Sequence, residues 1–157
     1  MSVVLRDANP LDAGAMAGIL HGFNCETEWM PDLHSGAEAL SFCGSMIERG
    51  WVRVAERLGR VAGFCARDGG DIVALYVRSD LRGQGIGRAL LQEAQTCQPE
   101  LALWTFVANT GAQRFYERAG FHCVRRGDGS RNDEGLPDLF YEWRAAGQAQ
   151  ERTSHVA

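Results

Sequence analysis

Apolar and polar positions alternate through WVRVAER (51–57), and VAGFCAR (61–67) follows as the second arm of a hairpin. A two-residue period predicts strands, and Leu58-Gly59 between them predicts a tight hairpin turn. Asp68-Gly69-Gly70 is a second turn signal, leading into a third strand, DIVALYV (71–77). Upstream, Val3 to Arg6 is a short apolar run that predicts a first strand. Leu11 to Gly22 places apolar residues at Leu11, Ala15, Ile19 and Leu20, which is helical spacing. Asn24 to Leu33 has no period, holds Pro31 and is expected as a loop. Ser35 with Glu38 three residues on forms a capping box for a helix reaching about Glu48, with Gly50 as its stop.

Downstream, a helix from about Gly85 to Thr96 puts Ile86, Ala89, Leu90 and Ala94 on one face, and Pro99 ends it. Leu101 to Val107 is nearly all apolar, as expected of a strand covered on both faces. A helix follows from Thr110 to Ala119, ending at Gly120. FHCVRR (121–126) and LFYEWR (139–144) are the last two strands. The order βααβββαβαββ implies one α/β or α+β domain with a mixed sheet over residues 1–145. Residues 146–157 have little to bury and are expected as a flexible tail.

Composition narrows the function classes. The chain has 157 residues, 45% apolar and 23% charged, with a net charge of −4. That charge argues against a nucleic-acid partner. No apolar run approaches the roughly 20 residues of a membrane span, and MSVVLRDANP lacks the features of a signal peptide. A soluble, cytoplasmic protein is expected. Cys25, Cys43, Cys65, Cys97 and Cys123 form no CxxC pair, so no metal site is expected and the thiols are expected reduced and buried.

The stretch SDLRGQGIGRALL (79–91) sits between a strand and a helix. Glycines there allow close backbone approach and positive φ. Unpaired N–H groups and the helix dipole make such a turn an anion site suited to phosphate, bracketed here by Arg82 and Arg88. The chain contains no lysine, so a P-loop is excluded, and the GxGxxG fingerprint is missing. The spacing present is Arg-x-x-Gly-x-Gly at Arg82, Gly85 and Gly87. It resembles the pyrophosphate loop of the GCN5-related N-acetyltransferases, the GNAT superfamily. NTGAQRFYERAGF (109–121) is similar to that family's second signature, with Asn109, Ala112, Phe115, Tyr116, Gly120 and Phe121 in register.

The resemblance implies a GNAT-like fold, a single mixed, mostly antiparallel sheet flanked by helices. It also implies transfer of an acetyl or other acyl group from acetyl-CoA to a primary amine of a small-molecule or peptidyl acceptor. Arg82, Gly83, Gln84, Gly85, Ile86, Gly87 and Arg88 would hold the pyrophosphate. Backbone N–H groups of Leu75, Tyr76 and Val77 would meet the thioester and pantetheine. Asn109 and Phe115 would lie along the cofactor, and Tyr116 would bind beside it and protonate the departing thiolate.

The base is less defined: Asp71, which opens the strand whose far end meets the thioester, and Glu28 are candidates, with a water relay as another route. Glu26, Glu28, Trp29 and Asp32, flanked by His21 and His34, are expected to line the acceptor side. The loop 127–138, rich in acids, is expected to serve the acceptor side or an interface, and a homodimer is possible in this family. Trp51, Trp104 and Trp143 are expected in core or interface packing. The rival reading is a non-catalytic acyl-CoA-binding or sensing module.

Overall fold

The first turns of the chain are set by an ion pair. In the computed structural model, which describes residues 2–146, Asn9 caps a short 3-10 turn at Pro10–Asp12. The Asp12 carboxylate is buried and accepts hydrogen bonds from Arg6 (Nη1 2.8 Å, Nη2 3.0 Å) and from the Asn9 backbone N–H (2.8 Å). The Arg6 bond, helped by the Asn9 N–H, holds the Asp12 carboxyl below the usual carboxylate range despite its burial.

The strands are β1 (Val4–Asp7), β2 (Val52–Arg57), β3 (Arg60–Asp68), β4 (Asp71–Val77), β5 (Glu100–Phe106), β6 (His122–Gly127) and β7 (Asp138–Arg144). The helices are α1 (Ala13–Glu26), α2 (Gly36–Glu48), α3 (Ile86–Cys97) and α4 (Thr110–Arg118). The strands form one mixed sheet in the order β1-β2-β3-β4-β5-β7-β6. The chain packs as two compact units. Among the described residues, one comprises those up to Asp68 with Ile72–Glu93; the other comprises Gly69–Asp71 with residues 94–146.

In the first unit, Met16, Ala17 and Leu20 of α1 meet Ala39, Cys43 and Met46 of α2 over Val52, Val54, Phe64, Ala66 and Ala74 of the sheet. Val52 pairs with Ala66 and Val54 with Phe64, so both strands turn one face to the helices. Ser35 and Glu38 form the expected capping box of α2, and Gly50 beyond it has φ +74°. Arg53 of β2 forks onto Glu93 of α3 (2.8 and 2.8 Å) and also reaches Asp7 (3.1 Å). That fork fixes α3 against the strands. A Cβ at Gly63 would lie 2.8 Å from the Tyr76 carbonyl oxygen, so β3 and β4 approach there as only glycine allows.

In the second unit, β5 and β7 run antiparallel with Leu103 opposite Tyr141, and β6 closes on β7. Tyr141 is buried and its hydroxyl donates to Glu117 of α4 at 2.7 Å. Burial, then that carboxylate, pushes the Tyr141 phenol upward. Phe121 packs between Tyr116 (5.4 Å) and Trp143 (6.3 Å).

Several expectations change. Leu11 is 93% exposed and Ala15 is exposed, because the 3-10 turn shifts the phase of the helix that follows; Met16, Ala17, Ile19 and Leu20 make the buried stripe. The helix α1 runs on to Glu26, through residues expected in a loop. On α3 the buried set is Ile86, Leu90, Leu91 and Ala94, with Ala89 only partly covered. Strand β5 buries one face alone, and Trp104 is 43% exposed beside Phe140 under the Arg125 guanidinium. Only Cys43 and Cys65 are buried, and burial pushes their thiols up to about 11 and about 12; Cys25, Cys97 and Cys123 are exposed. The expected tail lies, from residue 147 on, outside the described residues.

Two stability measurements follow. Asp12→Asn is expected to cost about 2 kcal/mol at pH 7 by urea denaturation, since it breaks a buried charge-assisted fork. Because the folded carboxyl titrates below its ordinary value of about 4, the difference is present above that value and shrinks as pH falls below it. Leu58 stands 91% exposed at φ +52° in the hairpin turn before Gly59 (φ +76°). Leu58→Asn is expected to raise stability by about 1 kcal/mol, as asparagine tolerates the left-handed region.

Candidate active site

Strand β4 and helix α3 are joined by a 3-10 turn at Ser79–Leu81 and the glycine turn after it. Gly83 has φ +78° and Gly85 φ +86°, both in the left-handed region. A Cβ at either would meet nothing within 4 Å, so the turn leaves open space on that side. The first bond of α3 runs from Ala89 N–H to the Gly85 carbonyl (3.0 Å). The N–H groups of Gly85, Ile86, Gly87 and Arg88 therefore precede the helical ladder and stand at its positive end. Ile86 is buried, so it can offer only its backbone; Arg82 and Arg88 are exposed. Gln84 accepts a hydrogen bond from Arg57 Nη1 at 2.8 Å, which ties the turn to the end of β2. This cradle fits a diphosphate: open space, left-handed glycines, helix-start N–H groups and flanking guanidiniums.

The backbone of β4 divides its donors by side. Arg78 N–H donates to the Ala62 carbonyl of β3 at 2.8 Å. Alternation places the Tyr76 N–H on that same edge and those of Leu75 and Val77 on the opposite edge. The Tyr76 ring packs on Phe23 (5.3 Å) and Phe64 (5.8 Å). Asp71 is exposed at the start of β4 and pairs in parallel with Ala102 of β5. Six residues of extended strand, about 20 Å, separate it from Val77. Asp71 thus stands at the end of β4 away from the glycine turn.

On α4, Asn109 Oδ1 accepts the Ala112 N–H at 3.1 Å and caps the helix. Its Nδ2 is left to donate to a ligand. Tyr116 is buried on α4, its ring edge-on to Phe115 (5.1 Å) and to Phe121.

A cleft of about 600 Å³ lies along α1 beside the start of the glycine turn. Ala15, Gly18, Ile19, Gly22, Phe23 and Glu26 line it from α1. Gly59, Arg60 and Val61 line it from the β2–β3 hairpin, and Arg78, Ser79, Asp80 and Arg82 from the segment after β4. Of the four acceptor-side candidates, Glu26 alone lines the cleft. Glu28 and Asp32 are exposed on the segment after α1, and Trp29 packs edge-on to Phe23 at 6.4 Å. His21 contacts Cys25 (3.5 Å) and His34 contacts Glu38 (3.0 Å). Arg57, Arg60 and Arg78 were not singled out from the sequence; they reach the site from separate segments, and no spacing signals them. The 127–138 loop is bonded to itself: Asn132 Nδ2 donates to the Leu136 carbonyl (2.9 Å) and to Asp138 Oδ2 (3.1 Å).

Residues 48–123 match the family model described as "Acetyltransferase (GNAT) domain". The 5-NmdU N-acetyltransferase of Pseudomonas phage PaMx11 is 35% identical over 103 residues, 60% of this chain and 71% of that protein. The chain belongs to the GNAT acetyltransferase superfamily. The peptidyl-lysine N-acetyltransferase YjaB of Escherichia coli is 36% identical over 78 residues, 50% of this chain and 52% of that protein. The match to the YjaB relatives thus spans about half their length. Among solved structures, apo YjaB from Escherichia coli superposes with a TM-score of 0.72 at 23% identity, covering 93% of this chain and 100% of that one. YncA from Salmonella typhimurium, solved with acetyl-CoA, gives 0.71 at 19% identity over 92% of this chain and 94% of that one. The likeness to these two neighbours is one of fold.

Gly85→Val is expected to lower CoA affinity by tenfold or more, in calorimetry with the folded variant. The branched side chain resists φ +86° and fills the open side of the cradle. Retained affinity would remove the turn from the binding site.

Proposed function

We infer that this GNAT protein is an acyl-CoA-dependent N-acetyltransferase that acetylates a primary amine. The observation that carries this reading is the cradle at Gly83–Arg88, where left-handed glycines open one side of a helix start. Acetyl-CoA would supply the activated acetyl thioester. The helix-start N–H groups from Gly85 to Arg88 hold its diphosphate, with Arg82 and Arg88 adding charge. The N–H groups of Leu75 and Val77, on the open edge of β4, are placed to bond the cosubstrate and to polarise a carbonyl oxygen as negative charge builds there. Asn109 Nδ2 and Phe115 provide further contacts.

Tyr116 is the proposed acid. A phenol at this position can give its proton to a departing thiolate. For the base, Glu26 in the cleft is favoured over Glu28, which stands outside it. The acceptor is proposed to be a peptidyl lysine, the class named for YjaB and YiaC of Escherichia coli. Glu26 offers that amine a carboxylate beside the glycine turn, and Glu28, Trp29 and Asp32 form the approach to it. Cytoplasmic residence and a homodimer belong to the same proposal. Among the described residues, no helix is long and apolar enough to cross a membrane.

Tyr116→Phe is expected to lower amine-dependent thiol release by about 10²-fold while CoA affinity changes less than threefold, the range general acid catalysis supplies. An unchanged rate would make Tyr116 a packing residue of α4. Tight CoA binding without thiol release on any peptide would favour a sensing module instead.

A further inference from the structure

The cleft along α1 is kept open by absent side chains. Gly14, Gly18 and Gly22 recur every four residues in this helix, and a Cβ at any of them would meet nothing within 4 Å. Each glycine in a helix costs about 1 kcal/mol relative to alanine, so three of them on one face call for a reason. Gly18 and Gly22 line the cleft. Its volume of about 600 Å³ suits a bound small molecule or a short peptide segment.

The charges of the cleft are unequal. Three guanidiniums, Arg60, Arg78 and Arg82, face two carboxylates, Glu26 and Asp80, in a chain whose net charge is −4. Arg78 is taken by Asp80 through a fork at 3.1 and 2.7 Å. Among the described residues, neither Arg60 nor Arg82 has a carboxylate partner. Arg82 lies over the Phe23 ring at 5.8 Å, and Phe23 is braced by Trp29 and Tyr76, so its guanidinium is preorganised. Glu26 receives only a long bond from Ser79 Oγ, 3.3 Å, and keeps its second oxygen for a cation.

We propose that this cleft binds a lysine-bearing peptide through an acidic residue next to the lysine, with Arg60 taking the carboxylate and Glu26 taking the ammonium. The proposal builds on the acetyl-transfer reading by naming what the acceptor carries beside its amine. Guanidinium forks match carboxylates in geometry as well as charge. A nucleic acid bearing an amine would bring a phosphate at every nucleotide and would set these against Glu26 and Asp80. A single carboxylate next to the lysine meets the Arg60 guanidinium and no such repulsion.

The test uses the full chain and calorimetry with three probes: a pentapeptide with lysine between glutamates, the same peptide with alanines as flanks, and a single-stranded oligonucleotide carrying a primary amine on one base. The acidic peptide is expected to bind about tenfold tighter than its alanine counterpart, as a charge-assisted pair at a part-exposed site provides. Arg60→Gln removes that advantage and Arg60→Lys restores part of it. Arg60 is exposed, so both variants are expected to fold. Equal affinity for the two peptides, an advantage that survives Arg60→Gln, or tighter binding of the oligonucleotide would overturn the proposal. Thiol release in the same samples keeps the two readings apart. Arg60-dependent binding without release supports the cleft and counts against the transferase; release that ignores the flanking residues does the reverse.

Discussion

The fold is organised around one backbone requirement: the chain must leave β4 and enter α3 with its first N–H groups turned outward. Two residues in the left-handed region, Gly83 and Gly85, meet it. Everything nearby holds that turn in place. The Arg53 fork onto Glu93 pins α3 to β2, and Arg57 reaches Gln84 from the end of the same strand. A helix start is a weak anion site when the helix can shift. It becomes a defined one when a rigid strand sets the position of both the helix and the loop.

The second constraint is electrostatic. The site gathers arginines from β2, from the β2–β3 hairpin, from the segment after β4 and from α3 itself. The overall charge of −4 conceals this local excess. Fields near a cleft depend on where the charges converge, and a sum over the chain cannot report it. The acids expected at the acceptor side divide in the same way. Glu26 ends α1 and turns into the cleft, whereas Glu28 and Asp32, only two and six residues on, leave the helix and stay in solvent.

Local punctuation was readable in the sequence because its causes are local. Ser35 with Glu38, the Leu58-Gly59 turn and Gly120 after α4 each act over two to four residues, and each stands where its chemistry places it. The family motifs were readable for the same reason, since the glycine turn and the α4 signature are contiguous. The face of α1 was not. Its phase is set by the 3-10 turn at Pro10–Asp12, which depends on an arginine in β1 reaching a carboxylate six residues away. The exposure of Trp104 was hidden because an apolar run looks alike in a strand covered on one face or on two. The cleft was hidden for a broader reason: its lining comes from three segments that only the tertiary fold brings together.

All sixteen basic side chains of this chain are arginine. The forks that hold the structure, Arg6 on Asp12 and Arg53 on Glu93, therefore contain no side-chain amine. A guanidinium stays protonated at every physiological pH and is a poor nucleophile toward a thioester, whereas a lysine amine is a good one. An acetyl thioester held at the glycine turn would therefore meet no lysine amine on the same chain. Arginine gives the scaffold its ion pairs without lending it an amine that an acyl donor could modify.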